Sequence, residues 1–268
     1  MAQRAAPIGV FDSGMGGLTV LRALQAQLPH ASFVYLGDTA RLPYGTKSAA
    51  TVARYAVQAA RILVDRGVGA LVIACNTASA VALNALREAY ADLPVFGVVQ
   101  PGAAAACAAA GVRRVSVLAT ESTVRGGAYQ RALLGLRPDL QIRARPAPLL
   151  VTLAEEGWLA GEVPDRVLGS YVSDCAHWRP DVLLLGCTHF PVFREPLARI
   201  LGAGVTIVDS AATTAAAVAA ELSVDADAAP PGAGSVVLLA TDDGARFARV
   251  GAHFLGEPIE AVEVVDLF

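Results

Sequence analysis

The chain has 268 residues, of which 54% are hydrophobic and 17% are charged, so it can bury the core of one large α/β domain or two small ones and is not expected to be disordered. Its formal net charge of −3 and its thinly spread basic residues argue against a nucleic-acid partner. No apolar run reaches the roughly 18–20 residues that span a bilayer, and no signal-peptide segment is evident, so we expect a cytoplasmic protein without a membrane segment.

Short apolar runs alternate with longer segments of helical periodicity, which is typical of βαβ units and a parallel sheet. Strands are predicted at Ile8–Phe11, Ser32–Gly37, Ala70–Ala74, Val95–Val99, Arg114–Ala119, Gln141–Arg145, Val182–Gly186, Thr206–Val208 and Val236–Ala240. Helices are predicted at Leu18–Gln27, Ser48–Arg66, Ser79–Tyr90, Gly127–Gly135 and Arg194–Leu201. The low-complexity stretch from Asp225 to Gly234 is predicted to be a surface loop.

Two segments of the chain resemble each other. ALVIACNTAS, at residues 70–79, and VLLLGCTHFP, at residues 182–191, each contain an apolar strand, a small residue, a cysteine and then a residue that can cap a helix or turn. This repetition predicts two pseudo-symmetric α/β domains with mostly parallel central sheets, each contributing one cysteine. We expect residues 1–98 and 209–268 to form the first domain and residues 99–208 the second.

The cysteines at these two strand ends are candidate reactive groups. Ligand sites in doubly wound folds form at the carboxyl ends of strands, and a helix N-terminus beside Cys75 can lower the pKa of its thiol. A buried core cysteine is the commoner interpretation for one such residue, but Cys187 repeats the context and has His189 two positions later. Cys107, in an alanine tract, and Cys175, in a helical pattern, are predicted to be core residues.

Polar loops follow the first two predicted strands. The loop Asp12–Gly17 (DSGMGG) places a carboxylate at the tip of the first strand, and its glycines and amides favour a tight turn or an anion nest. It lacks the lysine of a Walker A loop and the spacing of a dinucleotide-binding fingerprint. The segment Gly37–Gly45 (GDTARLPYG) follows the second strand and is expected at the same edge of the sheet.

Five motifs occur in a specific order: DSGMGGLTV (12–20), GDTARLPYG (37–45), ACNTAS (74–79), GVVQP (97–101) and GCTHFP (186–191). From Ile8 to at least Ser210 the chain resembles the bacterial glutamate racemases of the aspartate/glutamate racemase superfamily. The resemblance implies two facing α/β domains with glutamate in the cleft between them. It also implies that no cofactor is needed and that D-glutamate is supplied for peptidoglycan synthesis. Members of this family often form homodimers.

The resemblance also assigns roles to residues. Cys75 and Cys187 are expected to be the catalytic acid–base pair on opposite faces of the α-carbon, with Asp12 assisting the first thiol and His189 the second. Two further groups are implied, one of substrate-binding residues and one of residues that border the pocket. They are Asp12, Ser13, Tyr44, Gly45, Asn76, Thr77, Thr188 and His189, followed by Thr120, Thr123 and Glu155.

Several alternatives remain open on the sequence alone. A pyridoxal phosphate enzyme needs a Schiff-base lysine, and the single lysine, Lys47, stands at a predicted helix start where a solvated side chain is expected. The pairs Cys175–His177 and Cys187–His189 do not have the spacing of usual zinc sites, so no metal is expected. A two-domain ligand-binding module and an aspartate or hydantoin racemase of the same superfamily also fit the pattern.

Overall fold

The computed structural model describes residues 6–222 and 234–267. Apart from Gly234, the predicted loop at Asp225–Gly234 lies outside the described residues. Among the helices of these two ranges, none is long and apolar enough to cross a membrane.

Strands and helices alternate along most of the chain. The strands are β1 Ile8–Asp12, β2 Phe33–Gly37, β3 Ala70–Ile73, β4 Val95–Gly97, β5 Arg114–Ala119, β6 Gln141–Pro146, β7 Val182–Gly186, β8 Thr206–Asp209, β9 Val236–Ala240 and β10 Glu263–Val264. The α-helices are α1 Leu18–Gln27, α2 Ala49–Asp65, α3 Asn76–Ala89, α4 Val99–Ala108, α5 Glu121–Gly126, α6 Ala128–Leu136, α7 Pro148–Glu155, α8 Glu162–Tyr171, α9 Cys175–Trp178, α10 Arg194–Leu201, α11 Ser210–Leu222 and α12 Gly244–Leu255. Short 3-10 helices occupy Thr39–Arg41, Tyr44–Thr46 and Phe190–Phe193.

The strands form two separate parallel sheets. One has the order β10-β9-β2-β1-β3-β4 and the other has the order β6-β5-β7-β8, and each strand pair in them is parallel. The predicted α/β class with two mostly parallel sheets is therefore confirmed. The first sheet draws its strands from residues 8–97 and 236–264, and the second from residues 114–209; the division into domains at residues 98/99 and 208/209 stays a prediction.

The central strands carry continuous apolar runs because both faces of each sheet are covered by helices. Strands β1, β3 and β7 are buried along their whole length. Cys75 lies two residues beyond β3, and Cys187 follows β7 directly. Each sheet thus places one cysteine beyond the carboxyl end of one of its strands.

Two predicted boundaries were wrong near the site. β4 ends at Gly97 and α4 begins at Val99, because Pro101 falls in the first helical turn, where no amide donor is needed, and the alanines that follow favour a helix. Helix α3 begins at Asn76 rather than Ser79, and its N-cap is Cys75, whose Sγ accepts from Ala78 N. The expectation that the residue after Cys75 caps this helix is wrong, because the thiol of Cys75 itself is the cap.

Candidate active site

A cavity of about 240 Å³ lies at the carboxyl ends of strands from both sheets. Its walls come from the segments after β1, β2 and β3 of the first sheet and after β5, β6 and β7 of the second. Its volume is below the roughly 300–1,000 Å³ of pockets that hold drug-sized ligands. The cavity therefore has the size and the strand-end position expected of a site for a small molecule.

Most of the residues predicted from the sequence line this cavity. They are Ser13, Tyr44, Gly45, Cys75, Asn76, Thr77, Thr120, Glu155, Cys187, Thr188 and His189. Asp12 and Thr123 are buried just behind the lining residues. The sequence interpretation missed further lining residues, which are Gly14, Leu42, Pro43, Thr46, Glu121, Pro148, Val151 and Thr152. Those of α7 carry no motif and follow from no pattern other than their place after β6.

Cys75 is a buried thiol, 5% exposed. Its Sγ hydrogen-bonds Ser13 Oγ at 3.5 Å and accepts from Ala78 N at 3.5 Å. Burial, together with the nearby charge of Asp12, raises the pKa of Cys75 to about 12, although its hydrogen bonds with Ser13 and Ala78 oppose this. The expected lowering of this pKa at the helix N-terminus is wrong, because desolvation outweighs the hydrogen bond from the Ala78 amide in the first helical turn.

Asp12 lies fully buried behind the Cys75 side of the cavity. Its Oδ2 accepts from Gly14 N at 3.0 Å, and its Oδ1 has no hydrogen-bond partner among the described residues. Burial raises the pKa of Asp12, while the charge of His189 and the loop amides work in the opposite direction. The amide of Gly14 thus stabilises a carboxylate of the chain itself, which differs from the open anion nest that the glycine-rich loop suggested.

His189 stands beside the second thiol. Its Nδ1 lies 3.8 Å from Cys187 Sγ, and its Nε2 lies 3.2 Å from Glu155 Oε1. Burial alone would lower the pKa of His189, but the hydrogen bonds and charges of Cys187 and Glu155 raise it to about 10. A protonated imidazole at this position stabilises negative charge on Cys187.

Glu155 connects His189 to the C-terminal helix α12. Its second oxygen, Oε2, accepts from Arg246 at 2.9 Å. Burial acts to raise the pKa of Glu155, but the contacts with His189 and Arg246 outweigh it and hold this pKa below its usual range. Phe254, also on α12, meets the His189 ring edge-on with centroids 5.0 Å apart. Neither Arg246 nor Phe254 was identified from the sequence, and the helix Gly244–Leu255 was not predicted, although Phe247, Val250 and Phe254 recur at helical spacing.

A glycine of the first loop packs directly against the second cysteine motif. A Cβ placed on Gly16 would collide with the His189 ring and would lie 2.6 Å from Thr188 Oγ1. Thr19 Oγ1 adds a hydrogen bond to Thr188 O at 3.0 Å. The absence of a side chain at Gly16 therefore permits the close approach of two protein segments, the loop after β1 and the loop after β7.

Three threonines join the two sides of the cavity. Thr77 Oγ1, on α3, lies 3.0 Å from Thr120 Oγ1 and 3.4 Å from Thr123 Oγ1. Thr120 caps α5 by accepting from Thr123 N, and a Cβ on Gly45 would meet the Thr120 side chain at 2.9 Å. The predicted residues Gly45, Thr77, Thr120 and Thr123 thus form one contiguous wall.

The side chain of Tyr44 is hydrogen-bonded within the chain. Its hydroxyl donates to Asp38 Oδ2, which also accepts from Arg41 Nε at 2.7 Å. Asp38 is fully buried. This network fixes Tyr44 in the cavity wall and uses its hydroxyl hydrogen for the bond to Asp38.

The two Cys-x-His pairs lie in different surroundings. Cys175 lines a second cavity, of about 480 Å³, with Arg179 and Asp181, whereas Cys187 and His189 line the first. Across residues 6–222 and 234–267, no group of three or more His, Cys, Asp and Glu side chains is arranged to hold a metal ion.

Comparisons with known proteins agree with this geometry. The sequence profile of the Asp/Glu/Hydantoin racemase family matches residues 17–218. Glutamate racemase of Koribacter versatilis is 45% identical over 292 aligned positions, which cover 100% of this chain and 99% of the relative.

Solved structures give the same result. Glutamate racemase from Francisella tularensis in complex with D-glutamate superposes with a TM-score of 0.91 at 34% identity, covering 99% of both chains. The enzyme from Thermus thermophilus in complex with β-chloro-D-alanine superposes with a TM-score of 0.86 at 44% identity, covering 99% of this chain and 98% of that one. The profile match and these full-length relatives show that the chain belongs to the Asp/Glu/hydantoin racemase family, as a member of its glutamate racemases.

Proposed function

We propose that the chain interconverts L- and D-glutamate by two-base proton transfer between Cys75 and Cys187. The thiolate of one cysteine removes the α-proton of the substrate. The resulting carbanion, delocalised into the α-carboxylate, takes a proton from the thiol of the other cysteine on the opposite face. After one turnover the two cysteines have exchanged protonation states, and the reverse reaction or proton exchange with water restores them.

The observation that carries this proposal is the presence of both thiols in one small cavity, each at a strand end of a different sheet. Two bases on opposite sides invert a stereocentre without turning the substrate over. The same observation argues against a binding module, which has no use for two buried thiols beside ionisable partners. Lys47, whose Nζ donates to Pro43 O at 3.3 Å and which is absent from the cavity lining, is badly placed to form a Schiff base there.

The environments of the two thiols differ, and that of Cys75 supports an assignment of its resting state. Cys75 keeps its proton at neutral pH because its pKa is raised to about 12. Cys187 lies beside His189, whose pKa of about 10 keeps the imidazole charged. We therefore propose a resting enzyme with a thiol at Cys75 and a charged His189 imidazole beside Cys187, with Asp12 assisting Cys75 when it must give up its proton.

Neutral hydrogen-bond donors are proposed to hold the two substrate carboxylates. The part of the lining that the structure describes contains no Lys or Arg. Hydroxyl and amide groups are available instead, on Ser13, Asn76, Thr77, Thr120 and Thr188. The N-terminus of α3, a helix of 14 residues that begins at Asn76, adds a favourable dipole for an anion. Glutamate rather than aspartate is proposed because the relatives described above are glutamate racemases.

A racemisation assay in deuterated water tests the proposal. Reduced protein, without added pyridoxal phosphate or metal, is given L-glutamate or L-aspartate, and chirality and α-deuterium are followed together. The wild type and the control Cys107→Ser should produce α-deuterated D-glutamate and leave aspartate unchanged. Cys75→Ser and Cys187→Ser should each invert glutamate at least about a hundredfold more slowly, as expected when a general acid or base is lost.

Other outcomes favour the rival functions. Inversion of aspartate in preference to glutamate would assign the chain to another substrate of the superfamily. Tight glutamate binding with neither inversion nor exchange would support the ligand-binding module. Retention of the wild-type rate in either active-site cysteine variant would refute the two-thiol mechanism.

A cellular role is proposed on the same basis. D-glutamate made by the chain would serve peptidoglycan synthesis in the cytoplasm, so the gene should restore growth of a bacterial strain that requires added D-glutamate, and a Cys75→Ser copy should not. A homodimer is also predicted from the resemblance. Light scattering of the purified protein measures the oligomeric state directly.

A further inference from the structure

Helix α12 contacts the Cys187 side of the active site at two points. Arg246, near its start, donates to Glu155 Oε2 at 2.9 Å, and Phe254, near its end, packs edge-on against the His189 ring. Helix α12 lies beyond the five motifs and beyond residues 17–218, which the family profile matches. These contacts bring to the active site a segment that contributes no residue to the cavity lining.

The hydrogen bonds form a continuous chain from α12 to the thiol. Arg246 binds one oxygen of Glu155, the other oxygen of Glu155 lies 3.2 Å from His189 Nε2, and His189 Nδ1 lies 3.8 Å from Cys187 Sγ. A carboxylate with one oxygen held rotates less freely about its terminal torsion, which is otherwise broad. The cation thus restrains the direction of the second oxygen.

The burial of these side chains distinguishes this contact from a surface ion pair. The side chains of His189 and Glu155 are 9% and 15% exposed, whereas that of Arg246 is 34% exposed. Ion pairs on open surface contribute little, as expected for Arg166 and Glu162, both of which are more than 70% exposed. The partner of Arg246 is instead a carboxylate in the cavity wall that hydrogen-bonds a proposed catalytic group.

We propose that Arg246 is a positioning residue for the Cys187 half of the reaction, holding Glu155 so that Glu155 fixes the His189 imidazole beside the Cys187 thiol. The proposal rests on the two-thiol mechanism. Its consequence is specific: loss of Arg246 should slow proton transfer at Cys187 and leave proton transfer at Cys75 unaffected.

Overall rates alone do not reveal which thiol is affected. Two enantiomers have equal free energy in water, so the equilibrium constant is one. Therefore kcat/KM must remain equal in the two directions for every variant. The kinetic isotope effect of α-deuterium on kcat/KM does separate proton transfer at Cys187 from proton transfer at Cys75. Cys187 removes the α-proton from one enantiomer, and Cys75 removes it from the other.

The experiment compares Arg246→Gln, Arg246→Lys and Arg249→Gln with the wild type. Arg249 is an exposed arginine on the same helix and serves as the matched control. For each protein, kcat/KM is measured from both enantiomers of glutamate, with and without α-deuterium, together with the thermal midpoint. If proton transfer at Cys187 is slower, cleavage of the Cα–H bond becomes more rate-limiting for the enantiomer that Cys187 deprotonates. It becomes less rate-limiting for the enantiomer that Cys75 deprotonates.

In Arg246→Gln we expect kcat/KM to fall about tenfold in both directions, the equivalent of roughly 1.4 kcal/mol. The isotope effect should rise for one enantiomer and fall for the other. Arg246→Lys, which keeps the charge, should lie between this variant and the wild type, and Arg249→Gln should match the wild type. A general structural defect would lower the rate and the thermal midpoint without changing the ratio of the two isotope effects.

Two results would overturn the proposal. One is an unchanged kcat/KM in Arg246→Gln, and the other is a reduced kcat/KM with an unchanged ratio of isotope effects. Both differ from failure of the underlying function, in which the wild type and Arg249→Gln themselves would not invert glutamate.

Discussion

The phenol of Tyr129 donates a hydrogen bond to Oδ1 of Asn76 at 2.5 Å, and this bond joins α6 to the first residue of α3. The amide nitrogen of Asn76 donates in turn to Ser210 Oγ at 3.2 Å. Both contacts are buried, and they fix which end of the Asn76 amide is the donor. One amide hydrogen of Asn76 remains for a ligand in the cavity that this residue lines.

Replacing Tyr129 with phenylalanine keeps the ring but removes the hydroxyl that donates to Asn76 Oδ1. We expect the free energy of unfolding to fall by roughly 1 kcal/mol, the usual contribution of one buried hydrogen bond. The KM for glutamate should also rise about fivefold, because the Asn76 amide is then free to turn its oxygen towards the substrate carboxylate.

Tyr90→Phe is the matched control, since Tyr90 donates to Val57 O at 2.9 Å away from the cavity. It should lose similar stability in denaturant unfolding and keep the wild-type KM. An equal KM in the two variants would show that Tyr129 does not orient Asn76.

Gly186, the residue before Cys187, makes room for the same tyrosine. A Cβ at Gly186 would lie 2.7 Å from Tyr129 Cε2 and 3.2 Å from Leu118 O. Gly186→Ala is therefore expected to destabilise the fold by about 1–3 kcal/mol through overpacking. It should also lower kcat by displacing Cys187.

Gly135→Ala provides the comparison for this substitution. Gly135 lies in α6, and a Cβ there would meet no atom within 4 Å. Because alanine is favoured over glycine in a helix, this variant should gain up to about 1 kcal/mol. Thermal unfolding of both variants measures the two effects, and equal midpoints would contradict the packing argument.

Much of the architecture could be predicted from the sequence because its signals are local. β7 and α10 have the predicted bounds, Val182–Gly186 and Arg194–Leu201, since an apolar run between turn residues and an amphipathic repeat each specify one element. Strand β10 has two residues, both exposed, and is too short to show an apolar or alternating pattern in the sequence. The strand end at Gly97 was misread because valines 98 and 99 extend the apolar run into a helix.

The site was predictable only where a motif marked it. Cys75 and Cys187 were identified by their repeated strand-end context, and His189 by its place beside Cys187. Arg246 depends on a contact across 91 positions of the chain, which no local pattern contains. The direction of the Cys75 pKa was misjudged for a related reason: the helix N-terminus is visible in the sequence, whereas burial and the neighbouring Asp12 are properties of the fold.

Glu155 is expected to control the protonation of His189. In Glu155→Gln, the carboxylate that helps to raise the pKa of His189 to about 10 is replaced by a neutral amide, so this pKa should fall by about one to two units. Titration of the imidazole by NMR is practical because the chain has four histidines. Glu156→Gln changes an exposed neighbouring residue and should leave the His189 titration unchanged. An equal shift in both variants would show that Glu155 does not control the protonation of His189.

The buried Cys75 thiol should make stability depend on alkaline pH. Its folded-state pKa, about 12, lies above the value of about 8.5 for a free thiol in an unfolded chain. A group with a raised folded pKa contributes stability that is fully present below the unfolded pKa and is lost as pH rises through the folded one. The window for this loss is therefore from about pH 8.5 to about pH 12.

Cys75→Ala removes this contribution. We expect the stability difference between the wild type and Cys75→Ala, measured by urea unfolding, to shift by about 2 kcal/mol in favour of the variant between pH 8 and pH 10.5. Cys107→Ala is the control, because Cys107 is only partly buried and ionises with a smaller desolvation penalty; it should shift less. A pH-independent difference for Cys75→Ala would mean that this thiol ionises as easily in the folded chain as in the unfolded one, and the proposed resting thiol at Cys75 would then have to be abandoned.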